Sequence, residues 1–196
     1  MSPRLEPKLR LVPDPAESPE SGRQPSRSRE GDGPDLATLY ERYAPYVGAV
    51  ASRILGRAAE VEDVVQDVFA LAMSGLKRRD DPHEIKGWFA KVTVRRCLRQ
   101  LRFRRIWALV DLAADPSYDR LADAGAGPEE RQLVSEVYRA LDKVPARDRV
   151  AWTLRHVEGE SLERIAELCE CSLATAKRRI ASAHEKLTRD LEGRTR

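Results

Sequence analysis

The stretch from residue 161 to residue 187 limits the possible folds of this chain more than any other. It reads SLERIAELCECSLATAKRRIASAHEKL and consists of two amphipathic segments on either side of Cys169-Glu170-Cys171. Apolar residues in each segment recur at steps of three and four, which is the spacing of one face of a helix. In the second segment these residues are Leu173, Ala176, Ile180, Ala183 and Leu187. The pattern therefore predicts two short helices joined by a tight turn, a helix-turn-helix.

The face of the second helix opposite this stripe is suited to a groove of DNA. Arg178 lies at its centre among small residues and hydroxyls, with Lys177 and Arg179 on the flanks. Small residues allow a close approach to base edges, an arginine can pair with guanine, and flanking cations hold phosphates. Ser172 is the predicted N-cap, which would turn the positive end of the helix towards the duplex. The predicted DNA contacts are Ser172, Thr175, Lys177, Arg178, Arg179 and Ser182. An ordinary amphipathic hairpin is the alternative.

A second basic segment follows a strong helix start at Asp81-Pro82-His83-Glu84. This start offers an N-cap acid, a proline in the first turn and a glutamate in the capping-box position. The predicted helix carries apolar residues first and then a run of arginines with no acid between them: Arg95, Arg96, Arg99, Arg102, Arg104 and Arg105. The arginines in such a cluster repel one another unless negative charge neutralises them. The pattern therefore favours a polyanion-binding surface over a basic face that is merely solvated.

The helix predicted before it, over residues 60–76, is acidic on its outer face. Its predicted buried side is formed by Val61, Val65, Val68 and Ala72, with Val64 and Phe69 at the margins. Asp63 and Asp67 lie one turn apart and point the opposite way. Two acids on an open helix face usually serve solubility, but they also suit a basic partner surface.

The composition narrows the class of protein. Charged residues make up 34% of the 196 residues, yet the formal net charge is only +3, so any nucleic-acid surface must be local. The sequence has neither an apolar run long enough for a bilayer nor a signal peptide, which predicts a cytoplasmic protein without membrane insertion. The sequence has no phosphate-binding glycine loop, metal-ligand cluster or nucleophile motif, so we predict no enzyme, metal or other cofactor.

The three cysteines, Cys97, Cys169 and Cys171, are interpreted as structural thiols.

The order of these patterns predicts an all-α protein with two small helical domains joined by a flexible acidic linker. Residues 1–34 are rich in Pro, Ser, Arg and Glu and are predicted to be a disordered tail. Residues 35–105 form the first predicted domain, and residues 128–191 form the second, which ends in the helix-turn-helix. Residues 106–127 form the predicted linker, in which Asp111, Asp115, Asp119 and Asp123 recur and Pro116 and Gly125 interrupt regular structure.

Taken together, these pieces resemble an extracytoplasmic-function (ECF) sigma factor of bacteria over about residues 36–187. The stretch EDVVQDVF, residues 62–69, is similar to the acidic helix with which the family docks on the clamp of RNA polymerase core. The stretch WFAKV, residues 88–92, followed by the arginines is similar to the family's promoter-melting helix. The stretch VPARDR, residues 144–149, leads into the hairpin as in the family's upstream-element module. Each motif is weak alone, but their order and spacing together are specific.

The resemblance implies a role for each surface. Asp63, Gln66 and Asp67 would face basic residues on the clamp of the largest polymerase subunit. The loop 77–86 and the basic helix would bind and open the −10 element, in which flipped bases need pockets and cationic surfaces. The implied residues for −10 binding and melting are Lys86, Lys91, Arg95, Arg96, Arg99 and Arg102. The second helix of the hairpin would contact the −35 element. The partners are thus core polymerase and double- and single-stranded promoter DNA, and an anti-sigma factor stays open as a further partner.

The sequence departs from the family at two places. Many members carry Asn and Asp where this chain has Arg95 and Arg99, and many begin the recognition helix with Gly-Thr-Val-Lys-Ser-Arg where residues 174–179 read ATAKRR. These changes leave promoter sequence open, and they leave room for a member that melts DNA poorly. The competing hypothesis is a stand-alone helix-turn-helix transcriptional regulator, which would dimerise on paired half-sites.

Overall fold

The computed structural model describes residues 35–76, 81–107 and 127–193 of the chain. All regular structure in these residues is helical, which confirms the predicted all-α class. The helices are α1 (Leu36–Leu55), α2 (Ala58–Gly75), α3 (Pro82–Trp107), α4 (Pro128–Asp142), α5 (Ala146–His156), α6 (Leu162–Leu168) and α7 (Leu173–Glu192). The described residues form two compact units, 35–107 and 127–193.

The helices begin and end at residues that favour capping or a left-handed backbone. Asp35 caps α1 by accepting from the backbone N–H of Thr38, and Gly56 ends α1 in the left-handed conformation at φ 77°. Asp81 accepts from the backbone N–H of His83 at 2.9 Å, which confirms the predicted start of α3. Local sequence signals are therefore sufficient to place these boundaries.

The first unit packs α1, α2 and α3 around an aromatic centre. The ring centroid of Phe89 lies 4.9 Å from that of Tyr43 and 5.0 Å from that of Phe69. The predicted buried side of α2 was partly wrong, because Val64 and Phe69 are buried whereas Val61 and Val65 are only partly buried. The reason is that α2 packs against both α1 and α3, so its apolar face must be wider than a single stripe.

The second unit encloses a smaller core formed by α4 and α7 with α5 and α6. The core includes Tyr138, Leu141 and Val144 together with Leu187 of α7. Arg149 is only 1% exposed; it forms an ion pair with Asp142 and lies over the Tyr138 ring at 5.8 Å. A buried arginine is tolerated because its charge is paired and its stem is packed.

Some predictions concern residues outside the described ranges. The predicted disordered tail, residues 1–34, lies outside them, as does most of the predicted linker. Helix α3 continues to Trp107, two residues beyond the predicted domain boundary at Arg105. The helix can continue because its first strong breaking signals, Pro116 and Gly125, lie further along the chain.

Removing one partner of the buried ion pair tests the packing of the second unit. Asp142→Ala should lower the free energy of unfolding of this unit by about 3 kcal/mol, because it removes a carboxylate that pairs with the buried Arg149 charge. Glu167→Ala, which removes the exposed partner of Arg164, is the control and should change stability by less than about 0.5 kcal/mol. Hydrogen exchange of the α5 and α7 amides measures both. Equal effects of the two substitutions would contradict this account.

Candidate nucleic-acid and protein interfaces

The outer face of α7 has the composition expected of a DNA-reading helix. The Ser172 hydroxyl accepts from the backbone N–H of Thr175 at 3.2 Å, which confirms the predicted N-cap. Lys177 and Arg178 are exposed, whereas Thr175 and Arg179 are partly buried. The long cation expected at the centre of the face is therefore available to a ligand. Leu173 was assigned to the apolar stripe but is 38% exposed, because it occupies the first turn, where the helix leaves the core.

Ser182 is held by another helix of the same unit. Its hydroxyl donates to an oxygen of the Asp148 carboxylate at 3.1 Å, and the contact is partly buried. Asp148 belongs to the first turn of α5, so the bond ties the middle of α7 to the start of α5. With its hydrogen occupied in this way, Ser182 keeps acceptor capacity only, and a carboxylate lies beside the predicted DNA face. Sequence reasoning missed Asp148 because the two residues are far apart in the chain.

The turn of the helix-turn-helix contains two half-buried thiols. Glu170 adopts a positive φ of 49°, and Cys169 and Cys171 on either side of it are free. Burial, with a smaller contribution from Cys171, raises the pKa of the Cys169 thiol to about 11, although Arg179 acts in the opposite direction. Cys169 is therefore protonated at neutral pH, as a structural thiol would be.

Two histidines that are distant in sequence stack beside each other in the second unit. The ring centroids of His156 and His184 are 5.8 Å apart and the rings are nearly parallel at 22°, and the Trp152 ring centroid lies 4.9 Å from that of His156. Partial burial lowers the pKa of His156 below its ordinary value, and His184 and Arg155 lower it further. His156 therefore resists protonation more than an ordinary imidazole does.

The basic half of α3 presents an exposed stripe of cations. Arg95, Arg99 and Arg102 are all exposed and recur at helical spacing, and Lys91, one turn earlier, is partly buried. The Arg99 guanidinium lies over the exposed ring of Phe103 at 5.5 Å from its centroid. This arrangement of cations with an aromatic ring is suited to phosphates and unstacked bases.

Lys86 lies away from this stripe. Its ammonium is placed over the ring of Tyr46 of α1, 5.4 Å from the centroid. The structure therefore brings together four of the six residues expected at the −10 element, namely Lys91, Arg95, Arg99 and Arg102. It places Lys86 against α1 and, as described next, Arg96 against α2.

Acids of α2 partly neutralise the arginine cluster. Arg104 donates through its Nε to Glu60 at 3.0 Å and through a terminal nitrogen to the Leu55 carbonyl at 3.0 Å, and that nitrogen also pairs with the second Glu60 oxygen. The Arg104 and Glu60 side chains are only 13% and 15% exposed. The sequence pattern showed no acid near these arginines, but a neighbouring helix supplies one. Counter-charge thus comes partly from within the molecule.

A mixed-charge groove separates α2 from α3. Arg96 forms an ion pair with Asp67 at 3.2 Å, and Asp63 and Gln66 are exposed on the same helix. The groove measures about 170 Å³ and is lined by Asp63, Val64, Asp67, Arg96, Arg99, Gln100 and Phe103. Two of the residues predicted to meet polymerase therefore lie beside two of those predicted to meet DNA.

The described residues contain neither a membrane-spanning helix nor a metal-ligand cluster. In that part of the chain, no helix combines the length and apolar character needed to cross a membrane. The same residues contain no group of three or more His, Cys, Asp or Glu arranged to hold a metal ion.

Comparison with known families matches each unit to one family. The family described as Sigma-70 region 2 matches residues 39–106, which contain most of α1 to α3. The family described as Sigma-70, region 4 matches residues 135–187, which contain the helix-turn-helix. The RNA polymerase sigma factor SigV of Bacillus subtilis is 31% identical over 121 residues, covering 62% of this chain and 69% of that protein. The ECF RNA polymerase sigma-E factor of Haemophilus influenzae is 28% identical over 176 residues, covering 85% of this chain and 92% of that protein.

Solved structures share the fold. The sigma factor RpoE of Bartonella quintana, solved with the anti-sigma factor NepR, matches with a TM-score of 0.57 at 22% identity, over 81% of this chain and 97% of that chain. CnrH, solved with the cytosolic domain of CnrY, matches with a TM-score of 0.54 at 22% identity, over 81% and 88% of the two chains. Sigma-70 regions 2 and 4 on one helical chain are the parts of a sigma factor, the promoter-specificity subunit of bacterial RNA polymerase. With these relatives, the chain belongs to the ECF sigma factor family.

The lowered pKa of His156 predicts a pH dependence of stability. The unfolded chain takes up a proton near the ordinary value of 6.5, before the folded chain does, so the second unit should lose stability as the pH falls below about 6.5. His156→Gln should flatten this dependence, whereas His83→Gln, in the other unit, should not. Hydrogen exchange of the α5 amides between pH 7 and pH 5 measures the effect. If the second unit became more stable as the pH fell from 7 to 5, the predicted pH dependence would be refuted.

Proposed function

We propose that this chain is an ECF-type sigma factor that binds RNA polymerase core and directs promoter recognition, DNA melting and transcription initiation. The observation that carries the proposal is the pairing of two cationic helix faces, on α3 and α7, with an exposed acidic face on α2 in one chain. A stand-alone regulator needs the α7 surface alone, so the α3 stripe favours the sigma factor. The matched sigma-70 regions support the same choice.

The α7 face is assigned to the −35 element. Exposed Arg178 would read a guanine through a bidentate pair in the major groove, and Lys177 and Arg179 would hold phosphates on either side. Ser172 and Thr175 at the amino-terminal end of α7 would approach the backbone, where the helix dipole favours an anion. Ser182 would act as an acceptor, because its hydrogen is donated to Asp148.

The α3 stripe is assigned to the −10 element and its melting. Lys91, Arg95, Arg99 and Arg102 would hold phosphates, and Phe103 would offer a stacking surface beside Arg99. Residues 77–86, expected to supply a base pocket, lie in part outside the described ranges. Lys86 and Arg96 retain a role at this element in the proposal, although each now rests against another helix.

The acidic face of α2 is assigned to core polymerase. Asp63, Gln66 and Asp67 are all exposed and would meet a basic surface on the clamp of the largest subunit. An anti-sigma factor is proposed as a further partner, on the ground that the similar RpoE is solved with NepR. The proposal places the chain in the cytoplasm with the polymerase and assigns it neither catalysis nor a metal or other cofactor.

Charge reversal on α2 tests polymerase binding. Asp63→Arg combined with Asp67→Arg should weaken binding to purified core by at least about tenfold, because like charges would then face each other. The control variant carries Glu41→Arg and Glu192→Arg, two exposed acids outside the assigned face, and has the same net charge. Co-purification with core and a binding titration measure both variants. Equal binding of the two variants would disprove the assignment of α2.

A pair of arginine substitutions separates sequence reading from phosphate binding. Arg178→Ala should cost about 1–3 kcal/mol on the preferred −35 sequence and little on others. Arg102→Ala should weaken binding to all sequences alike and reduce the slope of log affinity against log salt by about 1. Affinities of the chain–core complex for a panel of promoter variants at several salt concentrations measure this. If both substitutions affected every sequence equally, the two roles would be wrong.

A further inference from the structure

One ion pair joins the two interfaces assigned to the first unit. Asp67 belongs to the face assigned to polymerase, Arg96 belongs to the set assigned to promoter DNA, and their charged atoms are 3.2 Å apart. Neither side chain can serve its proposed ligand fully while it is engaged with the other. The pair therefore lies where binding at one surface can affect the other.

This pair is more exposed than a second ion pair between α2 and α3. The Asp67 side chain is 57% exposed and the Arg96 side chain 21% exposed. The Glu60–Arg104 pair between the same two helices is far more enclosed, at 15% and 13%, and also holds the Leu55 carbonyl. An exposed ion pair contributes little to stability, so a basic partner surface can replace Arg96 on Asp67 at little cost. The enclosed pair would meanwhile keep α3 against α2.

We propose that the Asp67–Arg96 ion pair couples polymerase binding to promoter binding. In the free chain Asp67 holds Arg96 against α2, in the groove that Arg99 of the exposed stripe also lines. When the basic surface of polymerase takes Asp67, Arg96 is released and joins Arg95, Arg99 and Arg102 on the phosphates. This inference rests on the proposed function. It supplies a reason for the chain to bind promoter DNA more tightly as part of the holoenzyme than alone.

The coupling must be reciprocal, because linkage between two binding equilibria acts equally in both directions. Removing Asp67 should therefore strengthen DNA binding by the free chain, and removing Arg96 should strengthen polymerase binding. Since the pair is exposed, each effect should be about two- to fivefold. The alternative is that Arg96 stays on Asp67 and contacts polymerase itself, in which case its removal weakens polymerase binding.

The first experiment measures DNA binding by the full chain without polymerase. The probe is a fluorescent single-stranded oligonucleotide of mixed sequence at low ionic strength, where phosphate contacts dominate. Asp67→Asn is compared with Asp63→Asn, which removes the same charge from the same groove but has no ion pair with a described residue. The DNA affinity of Asp67→Asn should be two- to fivefold higher than that of Asp63→Asn. In an Arg96→Gln background this difference should vanish, because the partner is absent.

The second experiment measures binding to purified core polymerase without DNA. Arg96→Gln should bind core two- to fivefold more tightly than Arg42→Gln, a charge-matched change at an exposed residue of α1. The coupling would be overturned if Arg96→Gln bound core as tightly as Arg42→Gln, or more weakly. It would also be overturned if the difference in DNA binding between Asp67→Asn and Asp63→Asn persisted without Arg96. These failures are distinct from failure of the proposed function, which would appear as no promoter-directed transcription by the unmodified chain with core.

Discussion

The enclosed pair between Glu60 and Arg104 is the interaction on which the first unit depends. Helix α3 must pack in a small core and also carry many arginines, and these two demands conflict unless some charge is neutralised inside the molecule. Glu60 binds Arg104 through both oxygens, and the Leu55 carbonyl accepts from the same guanidinium, so one contact fixes the basic end of α3 against α1 and α2. With that end fixed, the remaining arginines can stay exposed for a ligand.

In the second unit, too, a carboxylate neutralises an arginine inside the protein. Arg149 is buried and paired with Asp142, and this pair supports the packing of α5 against α4 and α7. Arg178, on the outer face of α7, stays exposed. Each unit contains an enclosed arginine that is engaged by a carboxylate of a neighbouring helix, while other arginines face outward. This division between structural and ligand-facing cations explains how a chain with a formal net charge of only +3 can present two local basic surfaces.

Sequence reasoning predicted what depends on local chemistry. The all-α class, the caps at Ser172 and Asp81 and the exposure of Arg178 all follow from spacing and capping preferences, and each is confirmed. The partners of Arg96, Arg104 and Ser182 could not be predicted, because each lies on another helix at a position that no periodicity indicates. The buried face of α2 was misjudged for a related reason, since its width depends on how many helices it touches. The assignments of individual residues to polymerase or DNA stay predictions.

The central claim is that two helical units act together to bring polymerase to a start site, and a footprint with and without core tests it most directly. The DNA should be promoter fragments selected by the chain–core complex. With core present, the account predicts two separate protected blocks, at the −35 and −10 elements, and permanganate-reactive thymines downstream of the second. The chain alone should leave the DNA closed. A single symmetric block protected by the chain without core would contradict the claim and identify a stand-alone regulator.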